Sequence, residues 1–261
     1  MITTSRASAW RVFRAMAAIA SVGLVLGCGG AGETPVVGSP MIKAANLRGA
    51  GAPPVAGAKL GCRLEKSDAV AIGIASNFGP GYWWDHANLT IAVQAHPNSD
   101  PAIVQAIHDA IATWSVLLQE CLHGRISLTD VTGAQGSPPS AADIVVRYVP
   151  HAGGSVWNGF TVCGDHDCNN VLVKSEYPPP MGVQIPPFAI GYVAMHEIGH
   201  ALGLGHATNL WESHDLMGYG WAVAQQAPVV SQCDLEALGF VFAWLFEGAE
   251  PRPPGAGPYA C

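Results

Sequence analysis

Large apolar residues fall on alternate positions at Leu89, Ile91 and Val93, which predicts a strand over residues 89–95. The period then changes. Ile103, Ile107, Ile111, Trp114, Leu118 and Cys121 recur every three or four positions and predict an amphipathic helix over 101–122. Asp100 and Pro101 supply its N-cap and first-turn proline. His108 lies off the apolar stripe and reads as a solvated side chain. A second strand is expected over 125–131, followed by a polar, Gly- and Pro-containing loop over 132–140. Ile144, Val145, Val146, Tyr148 and Val149 make residues 143–149 a nearly continuous apolar run, the pattern of a strand buried on both faces. Shorter strands are expected at 155–162 and 170–174, on either side of a loop bounded by Cys163 and Cys168. Prolines at 178–180 and 186–187 close the strand region and lead into a helix over 188–202. Ser231 and Asp234 form a capping-box-like start for a last helix, whose buried face is Leu235, Leu238, Phe242 and Leu245.

The two ends of the chain lack such patterns. Residues 1–28 read as a targeting segment and are set aside from the fold. Arg6, Arg11 and Arg14 precede a mostly apolar run over 15–27, too short to span a bilayer comfortably as a helix. The run ends in Val25, Leu26, Gly27 and Cys28, which resembles a bacterial lipobox with Cys28 as the lipidated first residue of the mature protein. A plain secretory signal cut nearby is the alternative. Residues 29–61, rich in Gly, Ala and Pro, read as a flexible tether, 62–247 as the folded domain, and 248–261 as a Pro- and Gly-rich tail pinned by Cys261. A turn is expected at Gly79, Pro80 and Gly81, ahead of Tyr82, Trp83 and Trp84.

Cysteine usage agrees with export. Of seven cysteines, removing Cys28 leaves Cys62, Cys121, Cys163, Cys168, Cys233 and Cys261, enough for three disulfides. Cys163 and Cys168 are near enough to close a small loop; the other pairings are not readable. Charged residues are scarce at 12% and the formal net charge is −7, with no basic run, so nothing points to nucleic acid and no such partner is expected. The partners expected are a protein or peptide substrate, and a membrane only through the lipid anchor.

The chemistry is concentrated between residues 196 and 206. His196 and His200 are four apart, so on a helix they share one face and can grip one metal ion. Glu197 stands beside the first ligand and places a carboxylate next to a water the metal would activate. Gly203 can take positive φ and turn the chain back, bringing His206 in as a third nitrogen ligand. Three ligands leave a fourth position open, the catalytic arrangement for zinc rather than the structural one.

This extended motif resembles that of the metzincin zinc endopeptidases. The run Phe188, Ala189, Ile190, Gly191, Tyr192, Val193, Ala194, Met195 resembles the approach to the zinc helix in the matrixin-like branch, and Ser231, Gln232, Cys233, Asp234, Leu235 the start of that branch's last helix. The resemblance covers roughly residues 82–246. It implies a zincin-like α/β fold: a twisted, mixed, mostly parallel sheet with a long zinc-binding helix, a Met-turn and a C-terminal helix. One antiparallel edge strand, expected at 156–162, would lie above the cleft and pair with extended substrate. Met217 is the implied Met-turn methionine under the three imidazoles, and His214 beside it reads as a loop residue, not a fourth ligand. Tyr219, two residues after Met217, is similar to the tyrosine of astacins and serralysins and implies a phenol on the metal or on the oxyanion; simple packing in the turn is its other reading. Ala207 stands where matrixins usually carry a small hydroxyl residue. Asp165, His166 and Asp167 lie near the extra metal sites of vertebrate matrixins, but the histidine set is incomplete, so they read as the polar tip of the cysteine-bounded loop; calcium has no other support. Cys62 lacks the surroundings of a matrixin inhibitory thiolate and reads as a disulfide cysteine. The implied activity is peptide-bond hydrolysis with one catalytic zinc and Glu197 as general base. The readings set against it are a zinc-containing cell-surface binding protein without proteolytic turnover, which an intact Glu197 argues against, and a hydrolase of a non-peptide amide.

Overall fold

The computed structural model describes residues 64–75, 82–133, 141–149, 159–164, 168–174, 185–224 and 226–261. The targeting segment with Cys28, the tether, Cys62, the turn at 79–81 and residues 165–167 and 178–180 lie outside the described residues.

In chain order the elements are β1 (Ala71–Ile74), β2 (Asn88–Ala95), α1 (Pro101–Cys121), β3 (Ser127–Asp130), β4 (Ile144–Val149), β5 (Gly159–Val162), β6 (Cys168–Lys174), α2 (Pro187–Ala201), β7 (Leu204–Ala207), α3 (Gly220–Val223), α4 (Gln232–Val241), α5 (Ala243–Glu247) and β8 (Tyr259–Ala260). The larger sheet has the order β3-β2-β4-β6-β5. Its pairings are parallel except for β5, which runs antiparallel to β6 and forms one edge. This is a mixed α/β architecture with a mostly parallel sheet. Strand β4 lies inside the sheet, and Ile144, Val145 and Val146 are buried as a strand covered on both faces requires. The expected edge strand over 156–162 is observed from Gly159; residues 156–158 lie outside the described residues.

Helix α1 begins at Asp100, whose side chain accepts from Ala102 N. Its stripe of Ile103, Ile107, Ile111, Trp114 and Leu118 is buried, and the helix packs on α2. Two indoles fasten α2, one at its middle and one at its C-terminus. Trp114 Nε1 donates to Met195 O at 2.9 Å and Trp84 Nε1 to Ala201 O at 2.8 Å. Buried main-chain carbonyls thus find donors while the rings fill the core. His108, expected to be solvated, is only partly exposed and sits 2.6 Å from Asp130 Oδ2.

A second sheet, order β7-β1-β8, has no counterpart in the hydropathy pattern. Its strands are two to four residues long, below the length at which periodicity is readable. Both pairings are antiparallel and join remote parts of the chain. The stretch expected to be a tail therefore returns to the domain: β8 pairs with β1, and Cys261 is bonded to Cys233 at the start of α4. Cys163–Cys168 is also formed, and Cys121 is disulfide-bonded. Such bonds persist in oxidising compartments, which fits an extracellular or exported protein.

Candidate metal centre

Helix α2 carries His196, Glu197 and His200 on its last turns, all nearly buried. Its C-terminus is closed by Gly203 at φ +112°, with Gly203 N donating to His200 O at 2.8 Å. A residue with a Cβ is strained at that φ, so glycine lets the chain reverse at once into β7. Strand β7 then carries His206, and its pairing with β1 fixes the direction from which that ring arrives.

The three rings converge. His200 Nε2 lies 3.1 Å from His196 Nε2 and 3.1 Å from His206 Nε2. The three donor atoms lie within 4.8 Å of one another and can hold a metal ion. The opposite edges of two rings are anchored: His196 Nδ1 is 2.7 Å from Leu216 O and His200 Nδ1 is 2.9 Å from Leu204 O. A carbonyl only accepts, so the imidazole hydrogen of each neutral ring is on Nδ1 and the lone pair is on Nε2. Nitrogen lone pairs facing one another at this distance repel unless a cation stands among them. Nitrogens bound about 2.0–2.1 Å from one tetrahedral ion lie roughly 3.3 Å apart. The donor set therefore fits a single small metal ion, with its imidazoles oriented by main-chain carbonyls.

No family model and no curated protein matches the chain. Among solved structures it is similar to a chain of "GM1 bound form of the ECX AB5 holotoxin", at 13% identity over 61% of this chain and 86% of that one, with a TM-score of 0.34. A likeness that low carries no argument about fold or function.

Of the remaining site residues, Tyr219 and Met217 lie against the triad and its helix. Tyr219 reaches it from the turn after Met217: its hydroxyl is 3.0 Å from His206 Nε2, and its ring lies 5.5 Å from that of His196. Met217 is fully buried, with its sulfur against Gly199, the residue before His200. The turn is tied to the site by main-chain bonds: Ala207 N donates to Met217 O at 2.9 Å, and Leu216 O receives His196. His214 is partly exposed and pairs with Asp68 Oδ2 at 2.9 Å, away from the metal group. Glu197 is 2% exposed, and Thr161 Oγ1 of β5 donates to its Oε2 at 2.5 Å. Cys28 lies outside the described residues, as do Asp165, His166 and Asp167.

Beneath the turn lies a buried acidic network. Asp215 Oδ2 accepts from Ser67 Oγ at 2.5 Å and Ser231 Oγ at 2.6 Å, joining the start of the domain, the turn and α4. Ser231 and Asp234 form the reciprocal capping box expected from their spacing. Burial pushes the Asp234 carboxyl up to about 7; the Ser231 main-chain N–H opposes this and the nearby Asp215 charge adds to it. Burial also raises Asp215, against the hydrogen bonds from Ser231 and Ser67.

Four participants are missing from the sequence reading: the Leu204 and Leu216 carbonyls, Thr161, and Trp211. Trp211 is 42% exposed and packs edge-on against Tyr219 at 5.3 Å. Main-chain carbonyls leave no mark in a sequence, and a threonine in a short strand is an ordinary strand residue.

Proposed function

We propose that this protein is a zinc-dependent endopeptidase with a zincin-like fold, resembling the matrixin-like branch of the metzincins. The observation that carries the reading is the convergence of three imidazole Nε2 atoms, with the Tyr219 hydroxyl against His206 and the buried Glu197 next to His196 along α2. An all-nitrogen, three-histidine set suits zinc and leaves an open position. A zinc ion held by His196, His200 and His206 would supply a Lewis acid and lower the pKa of water there.

The chain's own groups do the rest. Glu197 takes the proton of the attacking water and passes it to the leaving amine, so one carboxylate serves as base and then acid. The Tyr219 hydroxyl donates to the oxygen that gains charge when the scissile carbonyl is attacked. Leu204 O and Leu216 O keep two imidazoles in one tautomer and orientation. The antiparallel edge strand β5, which also carries Thr161, offers main-chain groups to an extended peptide. In this reading the chain is exported and anchored through a lipid on Cys28.

The test is metal analysis with a peptide library. Wild type should carry one zinc per chain and cleave. His200→Ala should lose the zinc. Glu197→Ala should keep it and lose at least about a hundredfold in rate. Full zinc in His200→Ala would refute the ligand assignment. Stoichiometric zinc with no cleavage of any peptide would favour a zinc-containing surface binding protein instead. Mass spectrometry of the exported protein should show an acylated Cys28 at the N-terminus; a mature end elsewhere would remove the anchor.

A further inference from the structure

Strand β5 faces α2 with Gly159 and Thr161, both buried, while Phe160 and Val162 point the other way. A Cβ at position 159 would overlap the Glu197 carboxylate, so this stretch of strand is a cradle shaped around that side chain. Thr161 is 1% exposed and its hydroxyl is the cradle's polar group. It donates to Glu197 Oε2 at 2.5 Å and lies 3.1 Å from Glu197 O, the main-chain oxygen of the same residue. A buried carboxylate draws its stability from such donors, and a charged acceptor makes the bond stronger than a neutral one.

We propose that Thr161 is a positioning residue for Glu197, holding its carboxylate in one orientation against β5 through the hydroxyl. The inference rests on the reading of Glu197 as general base. The single hydroxyl hydrogen serves one acceptor at a time, and two are within reach. While Glu197 is a carboxylate, Thr161 donates to Oε2. A proton taken from water goes to the other carboxyl oxygen, so Oε2 stays an acceptor and Thr161 keeps donating to it. No proton is gained or lost by Thr161. The carboxyl therefore has a partner on both sides of the transfer without any rearrangement of strand or helix, and such preorganisation is worth rate rather than substrate affinity.

Two measurements test this. In the zinc-loaded protein acting on a peptide selected from the library, Thr161→Val keeps the shape and removes the hydroxyl. Its kcat should fall about tenfold or more with KM within about twofold, and Thr161→Ser should recover most of the loss. If the valine variant does not fold, Thr161→Ala against Thr161→Ser makes the same comparison. In the metal-free protein, a double-mutant cycle of Thr161→Val with Glu197→Ala is read by urea unfolding. The Thr161 change should lower the folding constant roughly tenfold more when Glu197 is present. Wild-type kcat in the hydroxyl-free variants, or equal effects of the Thr161 change in both Glu197 backgrounds, would overturn the proposal. A zinc-loaded wild type that cleaves nothing would instead overturn the endopeptidase reading, and the positioning role with it, whereas an active wild type with no Thr161 effect overturns this inference alone.

Discussion

Replacing Gly199 by alanine sets helix propensity against packing beside the metal group. In an exposed helix interior the change would stabilise by about 1 kcal/mol. At Gly199 the added Cβ would lie 2.7 Å from Met217 Sδ, 3.4 Å from Trp114 Cζ2 and 3.5 Å from Met217 Cε. Non-bonded heavy atoms prefer about 3.5–4.0 Å, so the sulfur must retreat by about 1 Å. It has little room to do so. Met217 is 0% exposed and its carbonyl is held by Ala207 N, while the Trp114 indole is held by Met195 O. Overpacking costs about 1–3 kcal/mol, and the upper end applies where both neighbours are anchored. Net of propensity, Gly199→Ala should destabilise the metal-free protein by about 2 kcal/mol, a fall in Tm of about 4–8 °C for a domain of this size. The assay is urea unfolding of wild type, Gly199→Ala, Met217→Ala and the double variant. With the sulfur gone the Cβ has space, so the same alanine should be neutral or stabilising in the Met217→Ala background. A Gly199→Ala protein at least as stable as wild type would refute the packing argument.

Tyr219→Phe removes only the hydroxyl near His206 and should lower kcat by roughly 2–4 kcal/mol in activation free energy with little change in KM; wild-type kcat would leave the tyrosine a packing role. Asp234 titrates near 7 in the folded protein against an ordinary value of 3.8, so between those pH values the native state holds the extra proton and stability falls as pH rises. Asp234→Asn keeps an acceptor for the Ser231 N–H and should flatten that decline in metal-free unfolding curves; parallel wild-type and variant curves from pH 4 to 7 would contradict it. Cys261→Ser removes the Cys233–Cys261 bond and should cost about 3 kcal/mol while speeding amide exchange at Cys261, whose N–H donates to Val70 O. Unchanged stability would show that the C-terminal strand is held by other contacts.

Much of the larger sheet was readable because its signals are local. The alternation at Leu89, Ile91 and Val93, the unbroken apolar run beginning at Ile144 and, in the helix between them, the stripe from Ile103 to Leu118 are each a pattern that a few neighbouring residues carry. The smaller sheet was hidden for the opposite reason. Strand β1 pairs with β7 and β8, more than a hundred residues away, through stretches too short to repeat a pattern.

At the metal group the same division holds. Sequence alone determined which residues are candidates, because the spacing of His196 and His200 follows from the helical repeat and the reversal after Ala201 follows from a glycine able to take positive φ at 203. Tertiary structure alone decided how they are held: His206 by strand pairing, His196 and His200 by the Leu216 and Leu204 carbonyls, Tyr219 by a turn that returns it to His206, and Glu197 by a threonine from a separate strand. Spacing along one helix is a property of covalent geometry. The partners of a buried polar group are set by which distant segments pack against it, and no local pattern records that choice.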